Sequence, residues 1–191
     1  MAQSNFQGEY IFSRQEIEAA FNFTKDGKFE FYYSYGATDR TAKGTFTIEG
    51  KIIKLKSDKE PGKDFSVTHQ SKSGKGYAIK IEDENKYFLN TVRCSFFTGS
   101  ERHDEYTDEN GDVKVEYPHC DSIFVFHTMF PDFVTRIKDE TNENNHFTLA
   151  LNPSLMQVSF KGIDFTIEDD HTINCMHNYL IPLEDIKFTK R

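Results

Sequence analysis

Apolar and polar residues alternate with a period of two along most of this chain. Between Lys28 and Tyr35, the residues Phe29, Phe31, Tyr33 and Tyr35 alternate with Glu30, Tyr32 and Ser34, as on a strand with one buried face. Ile17, Ala19, Phe21 and Phe23 repeat the pattern just upstream. A helical turn from Ser13, with Glu16 closing a capping box, competes for part of that stretch. The Asp26-Gly27 dipeptide that follows is a hairpin signal and favours the strand. Tyr10–Phe12, Lys43–Glu49 and Ile52–Lys56 complete an antiparallel meander of about four or five strands over residues 6–58, with Gly36–Arg40 and Glu49-Gly50 as turns. Further strands are predicted at Tyr77–Ile81, Tyr87–Phe97, Val113–Tyr117, Ile123–Phe126, Phe133–Lys138 and Phe147–Leu151. Met156–Phe160, Ile163–Ile167, His171–Cys175 and Ile186–Phe188 follow. Pro118, Pro131, Pro153 and Pro182 all fall at strand ends, where the missing N–H does least harm.

Residues 99–112 break this rhythm. Glu101, Asp104, Glu105, Asp108, Glu109 and Asp112 make the stretch acidic, and Asn110-Gly111 near its end predicts a tight hairpin joining a strand near Tyr106 to Val113–Tyr117. The segment reads as a protruding hairpin or a linker. Asp108–Asp112 lacks the bidentate Glu that an EF-hand calcium loop needs.

Two stretches carry resemblances. Gly8-Glu9-Tyr10, then Phe21 to Phe29 with its Asp26-Gly27 turn, Gly44-Thr45-Phe46 and Ile52-Ile53-Lys54-Leu55 resemble small lipocalin-like or half-barrel domains of bacterial envelope proteins. Thr135 to Leu149 and Val158-Ser159-Phe160-Lys161-Gly162 resemble the core hairpins of transthyretin-like, carboxypeptidase-regulatory-like sandwiches. Asn145 stands there in place of the turn Gly, and Ile163 in place of a Tyr. Both resemblances imply an envelope location and a binding or scaffolding role, with no catalytic residues to carry over. The expected fold is all-β: an antiparallel meander or lipocalin-like barrel over residues 1–98, the acidic hairpin or linker over 99–112, and a β-sandwich-like part over 113–191. The two large parts are free to share one core.

Composition supports the size of that core. Of 191 residues, nineteen are Phe and nine Tyr, with no Trp. Burying one Phe contributes about 1.5–3 kcal/mol, and aromatic residues suit a pleated surface. The net charge of −8 repels phosphate backbones and argues against nucleic acid as a partner. No stretch approaches the ~20 apolar residues of a membrane span. Met1–Asn5 has neither a charged n-region nor an apolar h-region. The chain therefore reads either as a mature envelope or secreted domain freed of its leader or as a cytoplasmic protein.

Candidate chemistry is sparse. Cys94, Cys120 and Cys175 exclude a four-Cys zinc site within one chain, and no CxxC is present. Cys175 and His177 are two apart and project to one face of a strand. With Cys94 and Cys120 they offer three thiolates and an imidazole for zinc or copper. The competing readings are a Cys120–Cys175 disulfide and three buried thiols. The turn after Tyr33 and Tyr35, with Asp39 and Arg40, is the candidate ligand site at the mouth of a barrel, against the plainer reading of a surface turn. GxSxG, P-loop, GxGxxG and HExxH are all missing. The expectation is a binding protein for an unknown small molecule or protein, needing no cofactor; a Cys/His metalloprotein and an unrecognised hydrolase are the rivals.

Overall fold

The computed structural model describes residues 6–176 and 178–191. Its first five strands are β1 (Gly8–Arg14), β2 (Ile17–Phe23), β3 (Lys28–Tyr35), β4 (Thr38–Glu49) and β5 (Ile52–Ser57). Each pairs antiparallel with the next, so the meander read from alternation is present. The Asp26-Gly27 turn has Gly27 at φ 77°, the left-handed region that Gly enters without penalty. The stretch Ile17–Phe23 is strand throughout.

After β5 the chain leaves for eight strands and then returns. The excursion comprises β6 (Phe65–Ser71), β7 (Tyr77–Glu82), β8 (Val92–Thr98), β9 (Glu101–Tyr106), β10 (Asp112–Val115), β11 (Ser122–His127), β12 (Thr135–Lys138) and β13 (His146–Leu151). The return comprises β14 (Asp164–Ile167), β15 (Thr172–Cys175) and β16 (Ile186–Lys190). β14 pairs with β5 and β16 with β1, so β1–β5 and β14–β16 close an eight-stranded antiparallel barrel. Residues 61–155 form a second compact unit inserted between β5 and β14.

The inward face of the barrel is set by the two-residue period. Tyr10 lies opposite Phe21, Phe21 opposite Phe31, and Phe23 opposite Phe29. All are buried. Gly44 faces Phe29, and a Cβ there would come within 2.0 Å of the Lys56 carbonyl oxygen, so β4 and β5 approach closely only because the residue is Gly. Phe21 is at the centre, with ring centroids of Phe31 at 4.6 Å, Phe165 at 5.0 Å, Phe188 at 5.3 Å and Phe160 at 5.5 Å. Eight strands enclose a space that side chains just fill, and here aromatic rings fill it.

Phe160 is not on a strand. The expected strand at Met156–Phe160 is a single parallel bridge between Gln157 and Thr41. The Phe160 N–H donates to Ser57 Oγ at 2.8 Å, and its ring packs against Phe29 and Phe31 at 5.7 and 5.0 Å. The segment acts as a plug.

The inserted unit has two four-stranded sheets, ordered β10-β7-β13-β6 and β12-β11-β8-β9. Their inner faces share one core that includes Phe65, Ile79, Cys94, Phe96, Ile123 and Leu149. One pair, β13 with β7, is parallel. The expected division near residues 99–112 differs from the observed one, which falls after Glu60 and before Met156. The acidic stretch is an edge strand: β9 pairs with β8 along its whole length, from Thr98↔Glu101 to Arg93↔Tyr106. Charge on an edge strand discourages pairing with other chains, so acidity here marks an edge and not a linker. The expected C-terminal sandwich over 113–191 divides likewise. Residues 113–155 remain in the inserted unit and 156–191 complete the barrel.

Three local expectations change. Residues 86–91 are a 3-10 turn begun by Asn85, whose side chain accepts the Tyr87 N–H at 3.1 Å, so the strand starts at Val92. Asn110-Gly111 does not close a hairpin, because β9 and β10 lie in different sheets. The Asp108 carboxylate accepts the N–H of Asn110 and of Asp112, at 2.8 and 2.9 Å, and holds a turn that moves the chain between sheets. Thr135–Lys138 and His146–Leu151 also fall in different sheets, joined by the polar crossover 139–145.

Candidate ligand-binding cleft

The residues first read as a barrel-mouth site sit on the β3–β4 hairpin but on opposite faces. Tyr33 and Arg40 are cross-strand partners pointing inward, and both are buried, Arg40 to 1% exposure. Arg40 Nη2 donates to the Gln157 carbonyl at 2.9 Å. Lys59 Nζ donates to the same oxygen at 2.8 Å, so two buried cations converge on one carbonyl. Burial raises the Tyr33 pKa, with Arg40 opposing the rise. Tyr35 is half exposed, and Asp39 is occupied outside, accepting the Tyr32 hydroxyl at 3.0 Å.

The Cys/His set is divided between cores. Cys94 and Cys120 belong to the core of the inserted unit and Cys175 to that of the barrel. His177 lies outside the described residues. All three cysteines are free and buried, which corrects the expected Cys120–Cys175 disulfide. Thr172–Cys175 is the barrel strand β15 and Cys120 precedes β11, so no single sandwich holds both. Among the described residues no three His, Cys, Asp or Glu side chains are grouped to hold a metal. Burial pushes the thiols of Cys94 and Cys175 up to about 12 and raises that of Cys120 as well. At neutral pH these are thiols, not the thiolates that nucleophilic attack requires.

Concave, polar surface occurs on both units, and one cleft of the inserted unit has a buried cation in its wall. This cleft, of about 500 Å³, is lined by the loop after β6, by Glu116 and His119, and by the end of β12 with the crossover that follows. The β12 sequence Thr135-Arg136-Ile137-Lys138 alternates so that Lys138 belongs with Arg136 on the outer face. A bulge changes this. Phe124 is opposite Arg136 and Ile123 opposite Lys138, so Ile137 is the extra residue and Lys138 turns to the face of buried Ile123. Bulges characteristically re-aim a side chain in this way. Lys138 is 5% exposed and lines the cleft.

The loop Ser71-Lys72-Ser73-Gly74-Lys75-Gly76 brings two further lysines to the cleft. Asn145 clasps it: its amide oxygen accepts the Ser73 N–H at 2.9 Å, and its amide nitrogen donates to the carbonyls of Ser73 and Gly76 at 2.9 and 2.7 Å. Gly76 has φ 73°, and a Cβ there would meet the Val115 carbonyl oxygen at 2.1 Å. The loop is therefore fixed by an amide clasp and by a position only Gly can occupy.

Charge within the cleft is unevenly spent. Lys72 pairs with Glu143 at 2.7 Å, and that bond holds the Glu143 carboxyl below its ordinary range. His119 Nε2 is 2.7 Å from Asp121 Oδ1. The Gly99 N–H, at 2.6 Å, is the larger cause of the lowered Asp121 pKa. Lys138 Nζ makes one hydrogen bond among the described residues, to the Asp139 carbonyl at 3.1 Å. An ammonium has three donors.

The sequence does not single out Lys72, Lys75 or Lys138, and it marks Asn145 only as the residue in place of a turn Gly. The Gly-Lys-Gly step at 74–76 was the available signal. No protein-family model matches this chain, and neither a curated protein nor a solved structure matches it.

Proposed function

We propose that this is a non-enzymatic ligand-binding β protein in which the barrel is a solid carrier and the cleft of the inserted unit receives a small polar molecule. One contrast carries the proposal. The barrel interior is packed with phenylalanine rings around Phe21 and Phe160 and its surface cleft of about 500 Å³ has only exposed lysines, Lys28 and Lys43, in its lining, whereas the inserted unit has an open polar cleft of about 500 Å³ with a buried ammonium in its wall. That volume is in the range of small-molecule sites, roughly 300–1,000 Å³. The burial that keeps the cysteines protonated argues against thiol catalysis, and their division between two cores argues against the zinc or copper alternative. The resemblance of residues 8–58 to lipocalin-like envelope domains supports a place in the bacterial envelope or exterior, with the cytoplasm as the alternative. No helix among the described residues is long and apolar enough to cross a membrane.

Amide chemical-shift mapping tests this. The ¹⁵N-labelled protein is titrated with neutral and charged sugars, amino acids and nucleosides. Saturable shifts are expected at Gly74, Lys75, Gly76 and Asn145 for at least one class. Saturable shifts confined to barrel residues such as Phe21, Phe31 and Phe160 would return the site to the barrel and refute the proposal, as would no saturable shift from any class.

A further inference from the structure

Resting on the cleft as the binding site, we infer that its ligand carries an anionic group, a carboxylate or a phosphate, on a hydroxyl-rich body, with Lys138 as the anchor for the anion. A buried ammonium is costly unless it is paired or fully hydrogen-bonded. Lys138 is buried by the β12 bulge, and its one hydrogen bond among the described residues goes to a neutral carbonyl. Glu143 and Asp121 feel the Lys138 charge, which helps to lower their pKa values, but their hydrogen bonds go to other groups. Glu143 is held by Lys72, and Asp121 by the Gly99 N–H and His119. Two N–H directions of the ammonium are thus unspent at the wall of a cleft of metabolite size.

Lys75 adds a second, exposed cation from the clasped loop. The rest of the lining selects the body of the ligand. Glu116 and Glu140 are exposed acceptors and suit hydroxyl or ammonium donors. Together they disfavour an apolar acid, which would leave them facing hydrocarbon. A single anionic group fits better than a polyanion, since those two carboxylates repel additional negative charge. A sugar acid and a sugar phosphate share this chemistry.

Three probes with one ring separate the possibilities: glucose, glucuronate and glucose 6-phosphate, each titrated into the full chain by amide-shift mapping at low salt. Glucuronate or glucose 6-phosphate, whichever source supplies the anion, should bind at Gly74, Lys75, Gly76 and Asn145 at least tenfold more tightly than glucose. Lys138→Met should weaken the anionic probe at least tenfold and leave glucose within twofold. Lys75→Gln, on the exposed loop, should weaken it about threefold and keeps the test open if the buried variant misfolds. Equal binding of glucose and the anions at the cleft would overturn the anionic assignment while leaving the cleft as the binding site. Unchanged anion affinity in both variants would overturn it too. No binding of any probe at these amides would overturn the assignment together with the reading on which it rests.

Discussion

Replacing Phe160 by Ala tests whether the barrel is solid. The ring is 5% exposed and lies within 5.0–5.7 Å of the rings of Phe21, Phe29 and Phe31. Removing it deletes roughly 100 Å³ of side chain, and at about 24 cal/mol per Å³ the residual void costs about 2.4 kcal/mol. Lost transfer free energy adds about 2 kcal/mol. The total of about 4 kcal/mol agrees with the usual 3–5 kcal/mol for Phe→Ala in a core. With a urea slope of about 2 kcal/mol per molar, the midpoint should fall by about 2 M. The assay is urea unfolding followed by NMR peaks of barrel residues, which separates the barrel from the inserted unit.

Phe160→Leu keeps most of the volume and should cost about 1–1.5 kcal/mol. A dry apolar cavity also binds benzene, so benzene should restore part of the stability of the Ala variant and none to the parent. A loss below about 1 kcal/mol in Phe160→Ala would mean that the ring fills little space. The barrel would then have room for a ligand, and the contrast on which the cleft was chosen would collapse.

The cysteines give two further expectations. Thiol titration should find none reactive in the native protein and three in denaturant without reductant, since all three are free and buried; a single titratable thiol would restore a disulfide. Stability should also fall at alkaline pH. Cys94 and Cys175 have folded values raised from 9.0 to about 12, so the stability they contribute is fully present below about pH 9 and is lost as pH rises toward 12. Urea midpoints between pH 8.5 and 10.5 should therefore decline less steeply in Cys94→Ala/Cys175→Ala than in the parent, and equal slopes would refute the assignment.

The meander was legible because local signals agree. In β2 and β3 the aromatic alternation, the Asp26-Gly27 turn and the pairing Phe23↔Phe29 all specify one register. Closure of the barrel was not legible. Ile163–Ile167 and Ile186–Phe188 read correctly as strands, but alternation says which face is buried, not which strand lies alongside. β5 and β14 are separated by the whole inserted unit, and nothing local to either names the other. The same limit split the expected C-terminal sandwich. Residues 113–155 and 156–191 have similar patterns and end in different cores.

The candidate site failed to show in the sequence for a narrower reason. A period-two pattern assigns faces by polarity, so it sends every cation outward. Among the described residues Arg40 and Lys138 are strand cations for which this assignment is wrong, and Lys59, in the bend after β5, is a third buried cation. The sequence places Arg40 in a turn, yet β4 begins at Thr38 and pairs Arg40 with inward Tyr33. Lys138 follows inward Ile137 and would face solvent in a regular strand, yet one bulge brings it opposite Ile123. A single extra residue in a four-residue strand leaves no trace in the order of apolar and polar letters. A cation turned inward must then find carbonyls or an anion. Arg40 and Lys59 meet the Gln157 carbonyl within the barrel unit, where they help to fix the segment that leads to Phe160. Lys138 meets one carbonyl and an open cleft. Of these three inward cations, Lys138 is therefore the one whose surroundings ask for a molecule from outside the chain.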